Sequence, residues 1–309
     1  MAAASPLIGI VGATGSGKTE LALALARTWP VEIVVADSRQ VYRGMDIGTA
    51  KPSAAARTAV PHHLLDIAEP DDPFTVANWV ERARSVIPDI AARGHIPMVV
   101  GGTGLYVSAL LDGHDYGAQA SSPEMRGRLE LELATDGIEA LAARLVARDP
   151  GAAKVTDLRN PRRLLRALER AEAGGGSSRP AQAPYPGRSA VIGISRPRDG
   201  LYRRIDLRAR SMFASGLLDE VRALVEHGYA DAHPMSGHGY AESMRHLAGA
   251  WSLDEAVERT ARRTRQYAKR QLTWFRRDVR LMWVAAGEHA GDDPAVVGTA
   301  DRLLRAALS

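Results

Sequence analysis

The sequence predicts an α/β fold in which helices flank a parallel β-sheet. Short apolar runs alternate along the chain with segments in which Leu and Ala recur at helical spacing. Polar and apolar residues do not alternate within these apolar runs. A continuous apolar run is expected of a strand that is covered on both faces of the sheet. With 309 residues, of which 45% are hydrophobic and 25% charged, the chain is long enough to bury a sizeable core.

The first third of the chain contains the clearest strand and helix signals. Buried strands are predicted at residues 6–12, 31–38 and 95–104. After the first strand, "KTELALALARTW" (18–29) has the periodicity of a helix. Residues 74–94 predict a second helix, broken near Pro88 because proline removes a helical hydrogen bond.

The pattern changes after about residue 113. Helical periodicity runs through residues 121–150 and 160–174, and a Gly/Pro/Ser-rich loop follows. At residues 190–195, "AVIGIS" resumes the buried-strand character, and the remaining third predicts mainly helices. The predicted domains are a discontinuous core, residues 1–113 and 190–309, and a small all-helical insertion domain, residues 114–189.

Composition excludes several classes of protein. The chain has no cysteine, which excludes disulfides and thiolate metal sites. The segment that precedes the first strand has no basic region typical of a signal peptide. No stretch approaches the roughly 20 apolar residues of a membrane-spanning helix. We therefore expect a cytoplasmic protein.

"GATGSGKT" (12–19) fits the pattern G-x-x-x-x-G-K-[ST], which holds nucleotide phosphates. Its glycines let backbone N–H groups turn toward an anion, while Lys18 adds a positive charge and Thr19 a hydroxyl for Mg²⁺. A strand before the loop and a helix after it give the required context. The sequence therefore predicts a P-loop core that binds ATP or another diphosphate through Gly12, Ala13, Thr14, Gly15, Ser16, Gly17, Lys18 and Thr19.

Asp37 closes the second strand and begins a long polar segment, residues 37–52. The carboxyl end of a parallel strand borders the ligand crevice, so this segment is suited to a second substrate. In a nucleoside triphosphatase the same carboxylate would bind Mg²⁺. A simple cap of the following turn is another interpretation of Asp37.

Four further segments occur together with the phosphate loop and the polar segment that begins at Asp37, and all six are given below in their order along the chain. The chain resembles the tRNA dimethylallyltransferases, also called tRNA isopentenyltransferases, from about residue 7 to 284. The segments that carry the resemblance are "GATGSGKT", "ADSRQVYRGMDIGTAKP", "PHHLLDI", "VVGGTGLYVSALL", "NPRRLLRALE" and "RTRQYAKRQLTWFR". The resemblance implies transfer of the dimethylallyl group of dimethylallyl diphosphate to N6 of the adenosine on the 3′ side of the anticodon, with release of diphosphate.

The resemblance also implies roles for individual residues. Asp37 would be the general base, Lys18 would neutralise the leaving diphosphate, and Thr103 would contact the target nucleotide as a third catalytic residue. Arg204 and Arg208, one helical turn apart, would bind the diphosphate, although a solvated helix face explains the pair as well. Mg²⁺, with Thr19 as a ligand, is the expected cofactor.

Residues 259–280 are rich in arginine, and at about 100° per residue the basic side chains fall on one side of a helix. Ala261, Ala268, Leu272 and Phe275 form the opposite stripe, which would pack on the core. A general arginine bias of the chain is the alternative explanation. The resemblance implies tRNA contacts by Asp37, Ser38, Arg39, Gln40, Thr103, Arg126, Asn160, Arg162, Arg163, Arg262, Gln266, Lys269 and Arg270.

Four residues depart from the family pattern. Ala13 and Gly15 stand where many members have Pro and Ala, which leaves the expected role of the loop unchanged. Arg39 beside Asp37 replaces a usually uncharged residue, and His238 replaces an aliphatic residue. Two other functions compete with prenyl transfer. A P-loop kinase of a small metabolite would consume ATP and need no basic helix. A nucleic-acid-binding NTPase would release phosphate in response to RNA. We expect a monomer without membrane association.

Overall fold

The computed structural model describes residues 5–113, 123–174 and 184–309. Its sheet contains the strands β1 (Leu7–Gly12), β2 (Val31–Val35), β3 (His62–His63), β4 (Ile96–Gly101), β5 (Ser189–Ser195) and β6 (Leu281–Ala285). All of these strands pair in parallel, in the order β3-β2-β4-β1-β5-β6. The predicted parallel sheet is thus confirmed.

β6 lies in the region where the sequence predicted mainly helices. It is an edge strand in which Leu281 and Val284 are buried and Trp283 is 36% exposed. Its five residues, LMWVA, are all apolar, but so short an apolar run cannot be distinguished from the end of a buried helix by periodicity alone.

Helices connect the strands and cover the sheet. In the described residues they are α1 (Lys18–Leu25), α2 (Ala54–Ala59), α3 (Val76–Ala92), α4 (Gly104–Asp112), α5 (Pro123–Arg148), α6 (Pro150–Val155), α7 (Pro161–Glu172), α8 (Arg198–Ala214), α9 (Leu217–Glu226), α10 (Tyr240–Leu247), α11 (Leu253–Phe275) and α12 (Pro294–Leu308). A 3₁₀ turn spans His233–Ser236. Gly137, with φ 83°, divides α5 into two helical segments. None of the described helices has the length and apolar character required to cross a membrane.

The predicted break near Pro88 is wrong, because α3 continues through this residue. Pro88 has no backbone N–H and cannot donate a hydrogen bond to the carbonyl of Arg84, four residues earlier. Both residues are exposed, so water can satisfy that carbonyl. The opposite face of α3 stays anchored by Trp79, which is fully buried and donates its indole N–H to the Val35 carbonyl (2.9 Å).

The chain forms two compact units, Met1–Asp112 with Pro184–Ser309, and Gly113–Ala183. The first unit contains the sheet and its apolar core. The second has a core of its own, built by α5, α6 and α7 around Leu129, Leu141, Leu145, Leu164 and Leu168. Residues 184–189, assigned by sequence to the insertion, belong to the first unit, where the Tyr185 N–H donates to Leu111 (2.7 Å).

The carboxyl ends of β1, β2, β4 and β5 meet at one edge of the sheet, as parallel pairing requires. At the end of β4 the backbones approach so closely that a Cβ atom on Gly101 would overlap the Ala36 carbonyl. Only glycine therefore fits beside the segment that leads into Asp37.

We expect Gly101→Ala to lower the free energy of unfolding by about 3 kcal/mol, since the overlapping atoms are backbone and cannot rotate away. Urea denaturation of the purified variant measures this change. Gly298→Ala in α12 is the control, because its Cβ would make only an ordinary contact with Arg302. Equal stability of both variants and the parent would contradict the close approach.

Candidate active site

The phosphate loop joins β1 to α1. Gly15 and Gly17 have φ of 78° and 98°, a left-handed conformation that favours glycine. Ser16 is 2% exposed, and its hydroxyl has no hydrogen-bond partner in the described residues. A Cβ on Gly12 would lie 2.7 Å from that hydroxyl, so the loop closes tightly on itself. This backbone forms the cradle that the sequence motif predicts.

The outside of the cradle is held by side chains from distant parts of the chain. Arg204 Nε donates to the Gly15 carbonyl (3.0 Å), and Arg196 Nε donates to the Ser16 carbonyl (2.7 Å). Arg204 also forms an ion pair with Glu20 (2.6 Å). These contacts make Arg204 a support of the loop in this structure, and its direct contact with a diphosphate stays a prediction.

Lys18 and Arg208 form a cationic pair at the loop. Burial lowers the pKa of Lys18 to about 8; the nearby Asp37 opposes this shift and the positive charge of Arg208 adds to it. Burial likewise lowers the pKa of Arg208, against the effect of Asp37. Among the described residues, the Arg208 side chain has no hydrogen bond or ion pair. A polyvalent anion would therefore be stabilised here, and it would relieve the repulsion between the two cations.

Asp37 follows β2 at the neighbouring strand end. Its Oδ1 accepts a hydrogen bond from the Arg39 backbone N–H (2.9 Å), so it does cap the following turn. Its Oδ2 has no hydrogen bond within the described parts of the chain and is available to a ligand. Thr103, after β4, accepts from the Ser38 N–H (3.0 Å) through its hydroxyl. The structure thus brings Asp37, Thr103 and Lys18 to one edge of the sheet.

Two site residues on α11 were not singled out from the sequence. Gln271 is 6% exposed; it accepts from the Thr14 N–H (2.9 Å) and donates to the Gly102 carbonyl (2.8 Å). Tyr267 interacts with the Thr103 side chain, and burial, together with Asp37, raises its pKa to about 12. Both belong to the motif "RTRQYAKRQLTWFR", and their four-residue spacing on the inner face of α11 was a usable signal.

Arg39 and His238, two of the departures from the family pattern, lie near each other. The His238 ring packs 5.4 Å from the Tyr267 ring, and its Nδ1 is buried without a partner among the described residues. Burial and the charges of Arg263, Arg270 and Arg39 lower the pKa of His238 to about 4, so the ring is neutral at pH 7. The Arg39 side chain donates to the His233 carbonyl (3.4 Å).

Comparisons with known proteins decide between the functional alternatives. A model of the IPP transferase family matches residues 40–278, and a second model, isopentenyl transferase, matches residues 6–63. The chain belongs to the IPP transferase family. It is 49% identical over 275 residues to a tRNA dimethylallyltransferase of Roseiflexus sp. (strain RS-1), covering 88% of this chain and 90% of the relative.

Other IPP transferases match nearly the whole chain. A tRNA dimethylallyltransferase of Roseiflexus castenholzii is 46% identical and covers 97% of both chains. The crystal structure of a tRNA isopentenylpyrophosphate transferase from Bacillus halodurans superimposes with a TM-score of 0.70 at 37% identity, covering 98% of this chain and 99% of that one. The resemblance drawn from the sequence motifs is thus confirmed.

The helix α11 presents the predicted basic face of this IPP transferase. Ala261, Ala268 and Phe275 are buried, which confirms the predicted packing stripe, and Leu272 is partly buried. Not every arginine is available for RNA, since Arg263 pairs with Glu242 (2.5 Å), Arg265 with Asp206, and Arg280 with Asp112 and Asp278. Within residues 259–280, the exposed cations without an ion pair in the described residues are Arg259, which stacks on the Trp251 ring, Arg262, Lys269, Arg270, Arg276 and Arg277; Gln266 is also exposed.

The second unit contains the remaining predicted tRNA contacts. Arg126 forms ion pairs with Glu130 and with the buried Glu169 (both 2.7 Å), which gives it a structural role. Asn160 caps α7 by accepting from the Arg163 N–H (3.3 Å). The side chains of Arg162 and Arg163 are exposed. Their binding to RNA stays a prediction.

The residues near the loop fit Mg²⁺ as a partner of a bound diphosphate. The described residues contain no group of three or more His, Asp or Glu side chains arranged for a metal ion. Thr19 is exposed at the start of α1, next to the cradle. Because Mg²⁺ accepts hydroxyl, water and phosphate oxygens, Thr19 would supply one ligand and the substrate most of the others.

We expect Lys18→Met to weaken binding of pyrophosphate about 10- to 100-fold at pH 7, the effect of losing one charge-assisted hydrogen bond. Lys18 has a lowered pKa of about 8, so its proton, and with it the wild-type advantage, is lost as the pH rises toward 10. Calorimetric titrations at several pH values measure the pyrophosphate affinity of both proteins. The ratio of the two affinities at each pH does not depend on the ionisation of pyrophosphate itself. A constant ratio of affinities would contradict the assignment.

Proposed function

We propose that the chain is a tRNA dimethylallyltransferase that transfers the dimethylallyl group of dimethylallyl diphosphate to N6 of the adenosine on the 3′ side of the anticodon. The observation that carries this function is the juxtaposition of an anion cradle with the carboxylate of Asp37. Lys18 and Arg208 lie close enough to interact and form no ion pair in the described part of the chain, and Asp37 is close enough to influence the pKa of both. A cytoplasmic monomer with these two substrates is part of the proposal.

The chemistry needs one bond to form and one to break. The lone pair of adenine N6 attacks C1 of the dimethylallyl group, and the C1–O bond electrons leave with the diphosphate. Lys18, Arg208 and the backbone N–H groups of the loop stabilise the negative charge that develops on the leaving oxygen. The proton released from N6 passes to the free Oδ2 of Asp37, which also orients the amine.

Mg²⁺ held by Thr19 and the substrate would supply further neutralisation of the diphosphate. The protein's own residues would align the reacting groups in addition to stabilising the leaving diphosphate and accepting the proton. Tyr267 keeps its proton at neutral pH, because its pKa is raised to about 12, and it lies beside Thr103 at the proposed acceptor position. The target base must leave the anticodon-loop stack to reach this position.

The exposed cations provide the affinity for RNA. Arg262 and Lys269 on α11, like Arg162 and Arg163 on α7, are exposed and free of ion pairs in the described residues. Cations of this kind neutralise phosphates without reading the bases. The splayed base would be recognised at the strand ends, near Asp37 and Thr103, since sequence-specific RNA recognition targets unstacked loop bases.

A transfer assay tests the proposal directly. Wild-type protein is incubated with dimethylallyl diphosphate labelled in the prenyl group and unmodified tRNA, with and without Mg²⁺, and with ATP as competitor. We expect label in the tRNA and release of diphosphate. Hydrolysis of ATP with no label in the tRNA would support the kinase or NTPase alternative, for which the relatives offer no support.

Asp37→Asn should lower the single-turnover transfer rate by about 100- to 10 000-fold, the usual contribution of a general base, because the amide cannot accept the N6 proton. Pyrophosphate affinity should stay within a few-fold of wild type. The matched control is Asp71→Asn at an exposed carboxylate outside the site. Normal turnover of Asp37→Asn would remove the general-base role.

Arg262→Ala combined with Lys269→Ala should weaken tRNA binding and reduce the slope of log affinity against log salt by roughly 1.5, since two phosphate contacts are lost. Arg265→Gln is the control, because its guanidinium is already neutralised by Asp206. Filter binding at several salt concentrations measures both slopes. If the control changed the slope as much as the double variant, the assignment of the basic face would be wrong.

A further inference from the structure

The segment between β2 and α2, residues 37–51, is called the acceptor loop here because it begins with Asp37 and includes Ser38, Arg39 and Gln40. It contains no helix or strand, only turns and one isolated bridge from Tyr42 to Ala68. Its conformation must therefore be set by contacts with other elements.

One carboxylate, that of Glu220 on α9, binds the far end of the acceptor loop. Its Oε2 accepts from the backbone N–H groups of Asp46 (2.9 Å) and Ile47 (2.7 Å), and its Oε1 accepts from Gly48 (3.1 Å). Consecutive N–H groups that converge on one anion hold a turn firmly, because each is a charge-assisted hydrogen bond.

Tyr240 completes this anchor from α10. Its hydroxyl donates to Glu220 Oε1 (2.6 Å), and its side chain is 2% exposed. The ring covers Gly48 so closely that a Cβ atom at this position would overlap it. Glu220 thus joins the acceptor loop to two helices that are separated from it by more than 160 residues in sequence.

The anchored turn is connected to the catalytic end of the loop. Lys51 is 1% exposed and donates to the Tyr42 carbonyl and to Asp46 Oδ1 (both 2.6 Å). The Gln40 side chain donates to the carbonyls of Thr49 (3.1 Å) and Ala50 (3.3 Å). A shift of residues 46–50 would therefore move Gln40 and Tyr42, which directly follow Asp37–Arg39.

We propose that Glu220 and Tyr240 are positioning residues for the transfer step: they hold the acceptor loop in the geometry that directs the adenine amine at the donor. This inference rests on the proposed function. Most of the binding energy for the two substrates comes from outside the acceptor loop, since the diphosphate is held by the phosphate loop and the RNA phosphates by exposed cations. Loss of the anchor should therefore slow transfer far more than it weakens binding.

Glu220→Gln tests the anchor with minimal change in shape. The amide keeps one acceptor oxygen but turns an N–H donor toward one of the loop's N–H groups, which loses its partner. We expect the single-turnover rate to fall about 10- to 100-fold, as for a misplacement of reacting groups by about 1 Å. The KM for tRNA and the pyrophosphate affinity should stay within about threefold of wild type.

Tyr240→Phe is the second variant and leaves the three backbone hydrogen bonds to Glu220 in place, so a smaller drop of about three- to tenfold is expected. The double variant should lose less than the product of the two single effects, because both act on one anchor. Asp219→Asn is the matched control; the side chain of this neighbour on α9 is 79% exposed and pairs with Arg222, and it has no hydrogen bond or ion pair with the acceptor loop in the described residues.

The outcomes separate this inference from the proposed function. If wild type transfers no prenyl group to tRNA, the proposed function fails. If wild type is active and the folded variants keep its transfer rate, the positioning role is overturned. It is equally overturned if the rate, the tRNA KM and the pyrophosphate affinity deteriorate in parallel, because a general loss of structure produces that result. A rate loss confined to transfer in Glu220→Gln or Tyr240→Phe supports it.

Discussion

The buried amide of Gln271 is the interaction on which the geometry of the site depends. It receives the Thr14 N–H of the phosphate loop and donates to the Gly102 carbonyl at the end of β4, so one side chain sets the distance between the donor and acceptor sides. A Cβ on Gly102 would overlap this amide. Because Gln271 lies on α11, the helix that exposes the cations proposed to bind RNA also links the phosphate loop to the end of β4. The proposed binding surface and the proposed reaction site are thereby joined by one helix.

The positions of the charged side chains are more informative about function than the net charge. The net charge is only +4, and most acidic residues near the site neutralise particular arginines, as Glu20 does for Arg204 and Glu242 for Arg263. Two groups of cations around the site have no ion pair in the described residues: Lys18 with Arg208 at the cradle, and the exposed cations on the outer face of α11. The first place suits a compact diphosphate, since burial strengthens the interaction with an anion. The second suits a solvated phosphate backbone.

The acceptor loop shows how an irregular segment is made rigid without secondary structure. Two charged side chains, the buried Lys51 from within and the partly buried Glu220 from α9, bind the backbone groups that a helix or strand would otherwise pair. Such a loop can carry Asp37 and adapt its outer residues, including Arg39, while its backbone stays in place. The neutral His238 lies against Tyr267, so Arg39 and His238 both depart from the family pattern around the proposed acceptor position, whereas Ala13 and Gly15 depart from it within the phosphate loop.

The sequence by itself determined the parallel sheet with its four main strands, the phosphate loop, the position of Asp37 and the buried stripe of α11. These features follow from residues close together in the chain, where periodicity and spacing are direct consequences of local geometry. Only the tertiary structure decided that β6 extends the sheet, that α3 continues through Pro88, and which arginines are occupied. Arg204 meets Glu20 across 184 residues and Gln271 meets Thr14 across 257. Pairings of this kind depend on the packing of whole elements, and no local pattern encodes them.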